Sequence, residues 1–139
     1  MSMTRREMMV LTGCSFAALG LTGLPASASV DDAIAAFTGG AEATEGGITL
    51  TAPEIAENGN TVPIEVSAEG AASIMILATG NPLPGVATFN FGPLAASRAG
   101  STRIRLARSQ DIVAVAKMED GTFRKTSAAV KVTIGGCGG

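Results

Sequence analysis

The chain has 139 residues, 46% of them hydrophobic and 16% charged, with a formal net charge of -2, two cysteines and no histidine. Without histidine there is no Ser-His-Asp triad, no Cys-His dyad, no histidine-held haem and no His-ligated zinc; two cysteines are too few for a four-cysteine zinc or iron–sulfur site. No Trp or Tyr is present to stack on a base or sugar, and a mildly acidic chain has no electrostatic reason to seek nucleic acid.

The first predicted element is an export signal. Thr4-Arg5-Arg6 supplies paired positive charge, and an apolar stretch from Met8 to Leu24 follows, diluted by Gly13, Gly20 and Gly23. Pro25 breaks it, and Ala26-Ser27-Ala28 offers the small side chains that signal peptidase accepts. Arg5 and Arg6, with Met8 and Met9 just beyond, resemble a twin-arginine signal, which exports folded proteins, although Val10 stands where that motif often carries Lys. A permanent membrane anchor competes poorly, because the stretch is glycine-rich and at the lower limit of about 17 residues. A lipobox at Leu11-Thr12-Gly13-Cys14 competes poorly too, because Cys14 precedes most of the apolar stretch. The expected organisation is a cleavable signal at 1–28, a folded domain at 29–134 and a C-terminal arm at 135–139. Such a chain is periplasmic and free of the membrane after cleavage, and Cys137 is its lone cysteine. A lone cysteine in an oxidising compartment cannot form an internal staple.

Ser29 to Phe37 carries a short helical signal. Ser29 is placed to cap it with Asp32 three residues on, Asp31 and Asp32 favour the positive helix end, and Ile34 and Phe37 share one face. Gly39-Gly40 stops it. A helix this short needs a surface, so its apolar face is expected to dock on the domain or on a partner.

After Gly46-Gly47 the apolar pattern changes to period two. Candidate strands are Ile48–Thr51, a segment alternating through Ile64, Val66 and Ala68, a central strand apolar on both faces from Ser73 to Thr79, Val86–Phe91, Thr102–Leu106, Asp111–Met118 and Ala128–Ile134. Asn58-Gly59-Asn60, Glu69-Gly70 and Glu119-Asp120-Gly121 mark turns. About seven short strands without helices between them predict an all-β fold, an antiparallel immunoglobulin-like sandwich.

Charge is segregated along the chain. Residues 29–97 hold eight acidic and no basic residues, whereas residues 98–139 hold eight basic and three acidic ones. Either strands from the two halves interleave and neutralise each other, or the surface is polarised and orients a protein partner.

The last five residues are Gly135-Gly136-Cys137-Gly138-Gly139. Four glycines around one thiol make a narrow arm with little preferred shape, expected to be mobile and to reach about 16–18 Å beyond the last strand. Nothing beside Cys137 activates it: the nearest basic residue in sequence is Lys131, and the chain-end carboxylate opposes thiolate formation. No residue is therefore predicted to be catalytic, and no metal or cofactor is predicted. The arm suits insertion into other proteins' active sites, where a thiol can hold a substrate covalently while partners act on it. The alternative is a structural subunit linked through Cys137 to a partner or to itself by a disulfide.

Together, the signal with Arg5 and Arg6, the N-terminal helix, the loop Asn81-Pro82-Leu83-Pro84 with Ala87-Thr88-Phe89-Asn90 after it, and the terminal motif resemble the SoxY family. These are the sulfur-carrier subunits of the bacterial thiosulfate-oxidising Sox system. The resemblance implies that Cys137 is the covalent attachment point for sulfur intermediates and that Gly135, Gly136, Gly138 and Gly139 form its flexible arm. It also implies partners: a SoxZ-like sandwich subunit as heterodimer, a haem c enzyme that loads thiosulfate, a hydrolase that releases sulfate, and a molybdenum-haem sulfane dehydrogenase.

Overall fold

The computed structural model describes residues 29–135. Helix α1 spans Val30–Thr38 and is closed at its start by the predicted capping box. The Asp32 amide donates to Ser29 Oγ at 3.1 Å and the Ser29 amide donates to Asp32 Oδ2 at 3.3 Å, satisfying two helix-end donors reciprocally. Gly39 ends the helix in the left-handed region at φ 66°. The expected docking is onto the domain itself, where the Phe37 ring meets the Phe123 ring edge-on at 6.2 Å between centroids.

Nine strands follow among the described residues: β1 Ala43–Glu45, β2 Thr49–Thr51, β3 Ile55–Asn58, β4 Val62–Ser67, β5 Ala71–Ala78, β6 Gly85–Asn90, β7 Ala99–Ile104, β8 Gln110–Met118 and β9 Phe123–Ile134. One sheet runs β1-β9-β8-β5-β6 with β3 also on β9, and the second runs β2-β4-β7. The two faces enclose one core containing Ile64 and Val66 of β4, Ile74 and Ile76 of β5, Ile112 of β8 and Leu106. Burying each such side chain is worth roughly 1.5–3 kcal/mol, so this layer dominates the fold's stability. β5 is apolar on both faces for a reason: Ile74 and Ile76 face the core, while Leu77 is buried on the other face, the one β5 shares with Val115 and Phe123.

The sandwich is the predicted one, with three differences. Strands β1 and β3 carry no readable alternation, being only three and four residues long, and both pair with β9 in parallel within an otherwise antiparallel arrangement. Strand β9 begins at Phe123 rather than Ala128, because polar Arg124–Ser127 still pairs with β8 along its length. Strand β7 spans 99–104 rather than 102–106. Leu106 is nevertheless buried as expected, and its amide donates to the Gly59 carbonyl at 2.7 Å, outside the ladder.

Candidate functional site

Cys137, Gly136, Gly138 and Gly139 lie outside the described residues, as do Arg5, Arg6 and Cys14. Of the predicted arm, Gly135 alone is placed, and it shows where the arm leaves the domain. Strand β9 ends beside the turn between β3 and β4 and the loop between β7 and β8. The Gly59 amide donates to the Ile134 carbonyl at 2.7 Å, and the Gly59 carbonyl in turn accepts from Leu106 at 2.7 Å. A second tie lies two residues back, where Ser109 Oγ accepts from the Val132 amide at 2.8 Å and donates to the Val132 carbonyl at 3.4 Å. Gly135 then runs against the Ala107 carbonyl oxygen so closely that a Cβ would collide with it. Gly135 is required by this close approach, a signal that composition alone does not reveal.

The loop that meets Gly135 is itself held by a polar cluster that sequence reasoning missed. Asn81, only 6% exposed, donates through Nδ2 to the Arg105 carbonyl at 2.7 Å. Its Oδ1 accepts from the Ala107 amide and from Gln110 Nε2, both at 2.9 Å. Gln110 also donates to the Arg108 carbonyl at 2.9 Å and accepts from the Gly80 amide at 2.7 Å. One asparagine thus fixes the loop on which the arm's first residue rests. The fragment Asn81-Pro82-Leu83-Pro84 marked the region; the pairing partners 24–29 residues away did not show in sequence.

The surface around this exit is basic. Arg103, Arg105 and Arg108 are exposed, and Arg103 and Arg105 line an open groove of about 280 Å³ with Leu83, Gly85, Val86 and Ile104. A larger depression of about 640 Å³ lies against β2, β4 and β7, where Glu65 and Arg103 are its ionisable residues. Neither is an enclosed site. Among the described residues no group of three or more His, Cys, Asp or Glu is placed to hold a metal ion, and no helix is long and apolar enough to cross a membrane.

The charge segregation also resolves. Of the two ion pairs among the described residues, Arg98–Glu119 at 2.8 Å joins residues of the basic half, and only Lys125–Glu45 at 3.7 Å joins the two halves. Strands of the two halves do interleave, with β1 and β3 beside β9 and β4 beside β7, but only that one contact between the halves closes to an ion pair.

The family profile described as sulfur oxidation protein SoxY matches residues 34–137, a span that includes the cysteine of the terminal motif. The chain belongs to the SoxY family. The solved SoxY sulfur carrier protein from Chlorobium limicola f thiosulfatophilum is similar to it at 38% identity and a TM-score of 0.67. That similarity covers 76% of this chain and 97% of the Chlorobium SoxY chain. A superoxide reductase (neelaredoxin) from Ignicoccus hospitalis shares the sandwich alone, at 16% identity and a TM-score of 0.56 over 63% of this chain and 80% of its own. No curated protein sequence matches closely enough to count as a relative. SoxY membership places the chain among sulfur oxidation proteins.

Proposed function

We propose that this protein is a periplasmic carrier of thiosulfate oxidation that holds sulfur intermediates covalently on Cys137 and presents them to partner enzymes. The observation that carries the reading is the position of the motif. Strand β9 ends at Ile134 at one end of the sandwich, Gly135 leaves the domain there, and Gly136-Cys137-Gly138-Gly139 follows it in sequence. The depressions lined by Arg103 are open grooves, and Lys131 is the nearest basic residue to Cys137 in sequence, so the reading assigns the thiol's chemistry to partners. The 38% identical relative is itself described as a sulfur carrier protein.

In chemical terms, loading joins the Cys137 thiol to the outer sulfur of thiosulfate. An S–S bond forms, one proton leaves the thiol, and two electrons pass to the haem c partner. The product is a thiosulfonate adduct. A hydrolase then releases the terminal sulfone as sulfate, and the molybdenum-haem dehydrogenase oxidises the sulfur that remains. The chain supplies attachment, reach and clearance; a SoxZ-like subunit completes the carrier as a heterodimer. Export by the twin-arginine route fits a pair that folds before crossing the membrane.

The test is Cys137→Ser in a reconstituted thiosulfate-oxidising system. The variant is expected to fold as the parent does and to abolish thiosulfate-dependent electron transfer. Retained electron transfer would overturn the assignment.

A further inference from the structure

Any protein that acts on Cys137 must touch the end of the sandwich that carries it. Cys137 stands two residues past Gly135, about 7 Å of fully extended chain, and all four remaining residues reach at most about 14 Å. That is far less than a docked protein's width. The turn at Gly59 and the loops following β5 and β7 must therefore lie in the contact.

This end of the domain presents three arginines. Arg103 is the last residue but one of β7, while Arg105 lies two residues before and Arg108 one residue after Ala107, the residue whose carbonyl meets Gly135. Arg103 and Arg105 share one groove with Leu83, a residue that is 67% exposed. Arg103 donates weakly to Thr61 Oγ1 at 3.5 Å. Among the described residues none of the three arginines is in an ion pair, and the pairs that do form engage Arg98 and Lys125. Carboxylates at this end are Glu57 and Asp111. At the opposite end, the turns that lead into β5 and β9 carry Glu69, Glu119 and Asp120. Arg98, Lys117, Arg124 and Lys125 stand among them, with Arg98 and Lys125 ion-paired, so the arm end is set apart by three exposed arginines in no ion pair among the described residues and not by a net polarity of the domain.

We propose that Arg103, Arg105 and Arg108, with Leu83 among them, form a docking face for enzymes whose channel mouth is rimmed by Asp and Glu. The proposal rests on the carrier reading and adds to it the chemistry of the partner's surface. Unpaired arginines remain hydrated in the free protein and gain carboxylate partners on docking, which raises the association rate more than the residence time. That suits a carrier that must leave each enzyme in turn. Leu83 supplies apolar contact beside the charges, and the basic collar orients the arm toward the channel before any side chain enters it.

The test is the initial rate of Cys137 loading, followed by intact mass in a reconstituted thiosulfate-oxidising system, as a function of salt. For the parent chain the rate is expected to fall about ten-fold between low salt and roughly 0.3 M, where charges are screened within about 6 Å. Arg105→Glu with Arg108→Glu is expected to load about ten-fold more slowly at low salt and to lose most of the salt dependence. Lys117→Glu, an exposed position toward the other end, should load as the parent does. Alkylation of Cys137 by uncharged iodoacetamide at equal rates in all three shows that the arm is equally accessible. Loading of the double variant at the parent rate, or slowing by Lys117→Glu to the same degree, would overturn the docking face while leaving the carrier reading intact. A parent chain that is never loaded overturns both.

Discussion

Gly135 passes the carbonyl oxygen of Ala107 with no room for a Cβ between them. The first glycine of the terminal motif is therefore fixed against the domain, whereas the proposed function gives the remaining glycines the reach of Cys137. The two roles separate by substitution. Gly135→Val should cost roughly 1–3 kcal/mol by forcing the β9 end away from the 105–109 loop. Gly136→Val should stay within about 0.5 kcal/mol of the parent in stability, while slowing loading by partners. Urea unfolding alongside loading rates distinguishes them; equal stability for the two variants would refute the fixed contact.

Asn81 holds the loop that Gly135 contacts. Asn81→Ala removes three hydrogen bonds and strands the Ala107 amide and the Arg105 carbonyl. A loss of roughly 2–4 kcal/mol is expected, since buried polar groups left unpaired cost more than the bonds themselves contribute. Asn81→Asp keeps the acceptor but sets a carboxylate against the Arg105 carbonyl, so it should also destabilise. A thermal unfolding curve unchanged in both would show that the cluster does not hold the loop.

Phe89 of β6 lies over Gly100 of β7 and closes the side where the two sheets meet. A Cβ on Gly100 would stand 2.6 Å from Phe89 Cδ1. Gly100→Ala is expected to cost roughly 1–3 kcal/mol by overpacking, and much of that cost should disappear when Phe89 is replaced by Leu. A double-mutant cycle measures the coupling, and additive costs would show that the two residues do not meet.

The turn into β9 has its own pH signature. The Thr122 hydroxyl and amide donate to Asp120 Oδ1 at 2.6 and 2.9 Å, and these bonds, the hydroxyl's first, hold the Asp120 pKa below its ordinary 3.8. A folded-state pKa below the unfolded one stabilises the turn at pH above the unfolded value, and the contribution is lost as pH falls through the folded pKa. The Thr122 amide shift should therefore hold steady from neutral pH to the ordinary value of 3.8 and move only in more acid solution. A midpoint at or above that value would contradict the hydrogen bonds.

Much of this was legible in the residues because it depends on local pattern. The Ser29–Asp32 capping box and the alternation of Val62–Ser67 are written in neighbouring positions, and the structure contains both. Strands β1 and β3 were not legible, since their pairing with β9 comes from tertiary placement and their length gives no period to detect. The polar start of β9 was lost for the same reason: Arg124, Lys125, Thr126 and Ser127 read as a loop until β8 is seen beside them. At the candidate site, the terminal cysteine and its glycines announced themselves by composition. The Asn81–Gln110 pair and the Ala107 contact join distant segments and required the fold. Charge segregation was visible along the chain, but only the topology shows that the arginines gather where the arm leaves.

The most direct test of the central claim is intact-mass analysis with peptide mapping of the mature protein from thiosulfate-grown cells. The carrier account predicts additions of sulfur or thiosulfonate mass on the peptide containing Cys137, removed by reductant and absent from Cys137→Ser. A Cys137 that is found always as a free thiol, or always in a stoichiometric disulfide with another chain, would contradict it.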